Sequence, residues 1–233
     1  MATDRIETEY LQYREVEISV DGYQLKGNLH LPANADSLVI FSHGSGSSRM
    51  STRNRNVASQ LEDAGIGTFL CDLLTEREQF EDNKRFDIEL LSQRLITITN
   101  WFRNHAEYSR LGLGFFGAST GAASALKASV ELKCDVIKAV VSRGGRPDLI
   151  SEDLGKITTP TLLIVGELDF EVIELNRFVY NKLTCPKQFV ILPAASHLFE
   201  EPGKLEEVGK LAIQWFSKYF KQARKSKDYA GIK

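Results

Sequence analysis

The chain has 233 residues, 42% of them hydrophobic and 26% charged, enough for one α/β domain with a large core and too few for two comfortable ones. Its net charge of −2 and isoelectric point near 6.1 supply no positive field for nucleic acid, so a small-molecule partner is expected instead. No apolar run is long enough to span a bilayer, and the opening "MATDRIETEY" lacks the apolar core of a secretory signal.

"REVEISV", then Asp21-Gly22, then "YQLKGNLHL" predicts two strands joined by a two-residue hairpin, because Asp-Gly tolerates the positive φ angles of such a turn. Pro32 closes the second strand. The third strand is "SLVIFS", Ser37 to Ser42, followed by a helix with Val57, Leu61 and Ala64 on one face and Gly65 as its stop. "IGTFLCD" is a fourth strand ending at Asp72. "TEREQFEDNKRFD" reads as a charged, solvated connection. A long helix then carries Ile88, Leu91, Leu95, Ile98 and Phe102 at alternating spacings of three and four, capped by Asp87.

"LGLGFFG" is the fifth strand, with a helix from Ser119 to Val130. "VIKAVVS" and "TPTLLIVG" are the sixth and seventh, followed by a helix with Val172, Leu175, Val179 and Leu183. "QFVILP" is the eighth, and the last helix carries Val208, Leu211, Trp215 and Tyr219. The pattern predicts an eight-stranded, mostly parallel sheet with an N-terminal antiparallel hairpin, helices on both faces and no lid domain. Residues 1–223 form this single domain, and 224–233 are expected to be a flexible polar tail. Ligands in such sheets bind at the carboxyl ends of the strands.

"LGLGFFGASTGAASAL" contains two motifs. Gly112, Gly114 and Gly117 spell the dinucleotide fingerprint, but the first two fall inside the strand. The acid at suitable spacing, Asp135, precedes the next strand instead of ending it. Gly117, Ser119 and Gly121 spell G-x-S-x-G, with Ser119 at the strand-to-helix turn where a nucleophile belongs. A nucleophilic serine needs a base, and the base an orienting acid. Of four histidines, His30 sits within a strand and His105 near a helix end. His43 follows the third strand and His197 the eighth. The chain order serine, acid, histidine selects His197 as base and Asp169, after the seventh strand, as acid. Asp148 is the reserve acid and Glu167 a weaker rival. Oxyanion donors are expected from the amides of Thr120 and Ser45, the latter in "FSHGSGSSRM". That loop lacks the G-K-[ST] ending of a nucleotide-binding loop.

"SHGSGSS", "GASTG", "VGELD" and "ASHLFEEPG", in that order, resemble the α/β-hydrolase superfamily over essentially the whole chain. "SSRMSTRNRNVASQLEDAGIGTFLCDLL" and "VVSRGGRPDL" are similar to stand-alone and phosphoribosyltransferase-fused bacterial hydrolases of its dienelactone-hydrolase-like branch. The resemblance implies a serine hydrolase acting on a carboxylester, lactone or thioester. It departs from true dienelactone hydrolases in having Ser119 where they use cysteine. The other reading is a non-catalytic or very slow ligand-binding member of the same fold.

The chemistry calls for no metal and no organic cofactor. Arg143 and Arg146 follow the sixth strand, and Arg49, Arg53 and Arg55 follow the third. They either bind an anionic part of the substrate or pair with Asp72, Asp148 and the acidic connection. Arg143, Arg146 and His43 are the candidate substrate-binding side chains, His43 with a second task of shaping its loop. Three cysteines without metal or redox spacing fit a reduced, cytoplasmic protein, monomeric or homodimeric.

Overall fold

The computed structural model describes residues 13–230, so the opening segment read for a secretory signal lies outside the described residues. Strands β1 (Arg14–Val20) and β2 (Tyr23–His30) form the expected hairpin. Its corner, Asp21 at φ 51° and Gly22 at φ 82°, takes the two left-handed residues a tight turn requires. The remaining strands are β3 (Ser37–Ser42), β4 (Gly67–Cys71), β5 (Gly112–Ala118), β6 (Ile137–Arg143), β7 (Thr161–Gly166) and β8 (Lys187–Leu192). They form one eight-stranded sheet in the order β1-β2-β4-β3-β5-β6-β7-β8. Pairing is antiparallel from β1 to β2 and β2 to β4, and parallel from there on.

Helices α1 (Thr52–Asp63) and α5 (Lys204–Ala230) cover one face of the sheet; α2 (Ile88–Asn104), α3 (Thr120–Val136) and α4 (Phe170–Lys182) cover the other. Strands β3 to β7 are buried on both faces, and successive residues feed opposite cores. Leu38, Ile40, Phe115 and Leu163 join the α2–α4 side, while Val39, Phe41, Phe116 and Leu162 join the α1–α5 side. Gly114 lies on the α5 face, where an added Cβ would stand 2.8 Å from Phe216. Gly112 and Gly114, two of the three glycines that imitate a dinucleotide fingerprint, therefore seat Phe216 and Phe220 of α5 against the sheet.

One expectation needs correction. The connection after β4 is not simply solvated: it holds a turn of 3-10 helix at Glu78–Phe80 and one α-turn at Asp82–Arg85. Glu78 within it is only 3% exposed. The reason is Arg94 of α2, whose guanidinium holds both carboxylate oxygens of Glu78 at 2.8 and 2.9 Å and the carbonyl of Leu73 at 2.9 Å. Helix α5 continues through Ala230. Arg224 on it pairs with Asp36.

Candidate active site

β5 ends at Ala118, Ser119 takes φ 52° and ψ −125°, and α3 begins at Thr120. This sharp turn requires small neighbours. A Cβ on Gly117 would come 2.5 Å from Cα of Ala122, and one on Gly121 would come 2.2 Å from the carbonyl oxygen of Ser42. The Ser119 amide donates to the carbonyl of Arg143 at 3.2 Å, and its carbonyl accepts from Ala122 and Arg146 at 3.1 Å each. A non-glycine residue is thus held at positive φ by its surroundings, the usual mark of a functional constraint. Gly44 crosses directly above, where an added Cβ would be 3.0 Å from Cβ of Ser119.

Asp169 stands at the start of α4, just beyond β7, and His197 follows β8. Their side chains meet, with Nδ1 of His197 2.6 Å from Oδ2 of Asp169. An ionised carboxylate only accepts, so Nδ1 carries the proton and Nε2 is left as the basic nitrogen. The two rival acids are engaged elsewhere. Asp148 takes both ends of the Arg146 guanidinium at 2.9 Å, and Glu167 accepts from the Ala194 amide at 2.8 Å. Ser119 and His197 line one cleft of 150 Å³ together with Gly44, Ser45, Asn54 and Arg143.

The loop after β3 is fixed by His43. The Leu73 amide donates to its Nε2 at 3.1 Å, so Nδ1 bears the hydrogen and donates to the Gly44 carbonyl at 3.0 Å. Burial lowers the pKa of this imidazole below its ordinary value, outweighing the Gly44 carbonyl, which raises it. With both ring nitrogens engaged, His43 shapes its loop and offers no group for binding substrate. The Ser45 amide is also occupied, donating to Oγ1 of Thr120 at 2.8 Å.

The arginines divide. Arg49 pairs with Asp72, Arg146 with Asp148, and Arg53 with Glu200. Arg146 turns to its own neighbour and is absent from the lining of the cleft that holds Ser119. Arg143 lines that cleft, buried, and forms no ion pair among the described residues. The Glu78–Arg94 pair was missing from the sequence reading. The tie between Ser45 and Thr120 was missing too.

A dienelactone hydrolase from Anabaena variabilis superposes with a TM-score of 0.85 at 48% identity, covering 89% of this chain and 99% of that one. The chain belongs to the α/β-hydrolase superfamily, in the family of that dienelactone hydrolase. The same fold recurs in Est1E from Butyrivibrio proteoclasticus, at 16% identity and a TM-score of 0.75, covering 88% of this chain and 98% of Est1E. Mycobacterium tuberculosis proteins named "Putative phosphoribosyl transferase" are 48% identical over 206 residues, 88% of this hydrolase-family chain. The chain spans about half the length of those relatives, matching 46% of each. No family model matches the sequence. No helix among the described residues is long and apolar enough to cross a membrane.

Proposed function

We propose that this hydrolase-family protein cleaves an ester-type bond, a carboxylester, lactone or thioester, in a small-molecule substrate, with Ser119 as nucleophile, His197 as base and Asp169 as the orienting acid. The observation that carries the proposal is the 2.6 Å contact of Asp169 with His197 beside the cleft into which the constrained Ser119 opens. Nε2 of His197 takes the hydroxyl proton as Oγ of Ser119 attacks the carbonyl carbon. Asp169 fixes the tautomer and stabilises the imidazolium. The tetrahedral intermediate collapses, and His197 returns the proton to the departing alcohol or thiol. A water molecule, deprotonated by the same nitrogen, then releases the acid from Ser119. No step needs a cofactor.

The oxyanion is received by the amide of Thr120, which starts α3 and has no acceptor within the helix. The Ser45 amide reaches it only by sharing its bond to Oγ1 of Thr120. Because that hydroxyl accepts from Ser45, its own hydrogen remains free to donate. We extend the proposal to the Thr120 side chain as a further oxyanion donor. Cys71, Cys134 and Cys185 are all unpaired, which suits a reducing cytoplasm.

A fluorophosphonate probe tests the assignment. Mass spectrometry is expected to place the adduct on Ser119, and Ser119→Ala is expected to abolish turnover of p-nitrophenyl acetate and butyrate. Unchanged turnover in that variant would sink the assignment.

A further inference from the structure

Arg143 ends β6, and its side chain forms part of the cleft wall shared with Ser119 and His197. It is 7% exposed. Its Nε is buried without a hydrogen-bond partner. The terminal nitrogens make only long contacts, 3.3 Å to Oδ1 of Asn54 and 3.4 Å to the carbonyl of Leu198. Its charge also rests 5.8 Å from the ring of Phe199. Burial, then the neighbouring Arg53, pushes the Arg143 pKa down to about 10, so it remains charged at neutral pH. A buried cation without a carboxylate is costly for a fold to keep.

Across the cleft lies the N-terminus of α1, a helix of 12 residues with no acidic side chain in its first turn. Ser51 caps it, its oxygen accepting from the Asn54 amide. Ser51, Arg53 and Ser47 all line the same cleft. The Nε of Arg53 is likewise buried and without a partner, while its terminal nitrogen holds Glu200 at 2.6 Å.

We propose that Arg143, Arg53, Ser51 and the N-terminus of α1 form a subsite for the phosphoryl group of a phosphomonoester-bearing ester substrate. Two features select phosphate over carboxylate. Donors converge from β6, from α1 and from the loop after β3, which suits a tetrahedral group with three terminal oxygens; a planar carboxylate is satisfied by one guanidinium fork. The charge also matches: Arg143 is unneutralised, Arg53 is partly offset by Glu200, and a helix N-terminus adds roughly half a positive charge, against about −1.5 to −2 on a phosphomonoester. The phosphate remains on the substrate as a handle, and the bond hydrolysed is still the ester. What is cleaved rests on the serine-hydrolase reading; what Arg143 binds does not.

Two measurements on purified protein test this separately. Calorimetry compares inorganic phosphate, acetate and chloride at matched ionic strength. Phosphate is expected to bind most tightly, and Arg143→Gln to weaken it at least about tenfold, the loss of one charge-assisted contact. Equal binding in the variant, phosphate no tighter than chloride, or acetate tighter than phosphate would each overturn the subsite. If Arg143→Gln does not fold, wild-type protein decides: phosphate must slow fluorophosphonate labelling of Ser119, and unslowed labelling counts against the proposal. Kinetics then compare the acetate ester of glycerol 3-phosphate with that of glycerol. Wild type is expected to favour the phosphorylated ester by about tenfold or more in kcat/KM, mostly through KM, with the preference lost in Arg143→Gln. An arginine that merely braced Leu198 against Asn54 would slow both esters alike and leave the preference intact, which refutes the subsite. If Ser119 takes no fluorophosphonate and neither ester is hydrolysed, yet Arg143-dependent phosphate binding persists, the serine-hydrolase reading falls and the subsite stands. If the glycerol ester is hydrolysed and phosphate does not bind, the reverse holds.

Discussion

Replacing Ser119 by glycine is expected to abolish activity and raise stability at once. Ser119 sits at φ 52° and ψ −125°, a region in which a side-chain-bearing residue stores about 1–3 kcal/mol of strain. Glycine removes that strain but loses roughly 0.5–1 kcal/mol of extra chain entropy on folding, leaving a net gain of about 0–2.5 kcal/mol. The entropy of unfolding is about 2.1 cal/mol/K per residue, or ~0.5 kcal/mol/K for a chain of this length, so Tm should rise by up to about 5 °C. Alanine keeps the Cβ that causes the strain. Ser119→Ala should therefore melt close to wild type while losing the same activity, a fall in kcat on the order of 10³–10⁶. Differential scanning calorimetry of the three proteins, alongside ester turnover, separates strain from chemistry. A glycine variant that melts at or below the alanine variant would show that the turn stores less strain than the roughly 0.5–1 kcal/mol of entropy glycine loses, which refutes the reasoning.

Glu78→Gln should destabilise the fold by about 3–5 kcal/mol, because it leaves Arg94 buried with only the more distant carboxylate of exposed Asp21, at 3.6 Å, and adding Arg94→Met should restore much of the loss; urea denaturation of the single and double variants checks this. Thr120→Val should lower kcat by about 10- to 100-fold with KM little changed if the hydroxyl donates to the oxyanion, and steady-state kinetics with unaltered kcat would remove it from that role. His43, whose pKa burial holds below its ordinary value, binds its proton more weakly in the folded chain than in the unfolded one. Its contribution is therefore complete above pH 6.5, the ordinary value, and is lost as pH falls below it, at up to about 1.4 kcal/mol per pH unit. Denaturation at pH 7.5, 6.5 and 5.5 should show this slope flattened in His43→Asn.

What the sequence revealed was local, and what it hid was not. Ser119, Asp169 and His197 were legible because each follows an apolar strand, and the parallel sheet carries all those strand ends to one edge. Gly117 and Gly121 mark the turn through a steric requirement of immediate neighbours. Glu78 was misread because its surroundings in the chain are acidic and polar; only the 16-residue span to Arg94 takes it into the interior. Arg94 stands three residues after Leu91 and four before Ile98, at the margin of the apolar stripe, but that spacing does not name the carboxylate it meets. His43 was placed at the right loop, but the direction of its ring depends on the Leu73 amide, 30 residues away. The Ser45 amide was expected to be free, and its bond to Thr120 spans 75 residues.

The two buried arginines show why burial alone identifies no function. Arg94 is 2% exposed and Arg143 is 7% exposed, and desolvation works against the charge of both. Arg94 meets a bidentate carboxylate and a backbone carbonyl, so its charge is compensated within the chain and its task is complete on folding: it pins the segment after β4 to α2. Arg143 meets a neutral amide oxygen and a carbonyl at long range, and an aromatic face. None of these neutralises it, and its Nε has no partner. Folding alone would favour replacing such a residue with an apolar one of similar volume. The charge is therefore explained by something outside the fold. In the proposed subsite, its place beside Ser119 and His197 lets an anionic group on the substrate supply the compensation that the chain itself withholds.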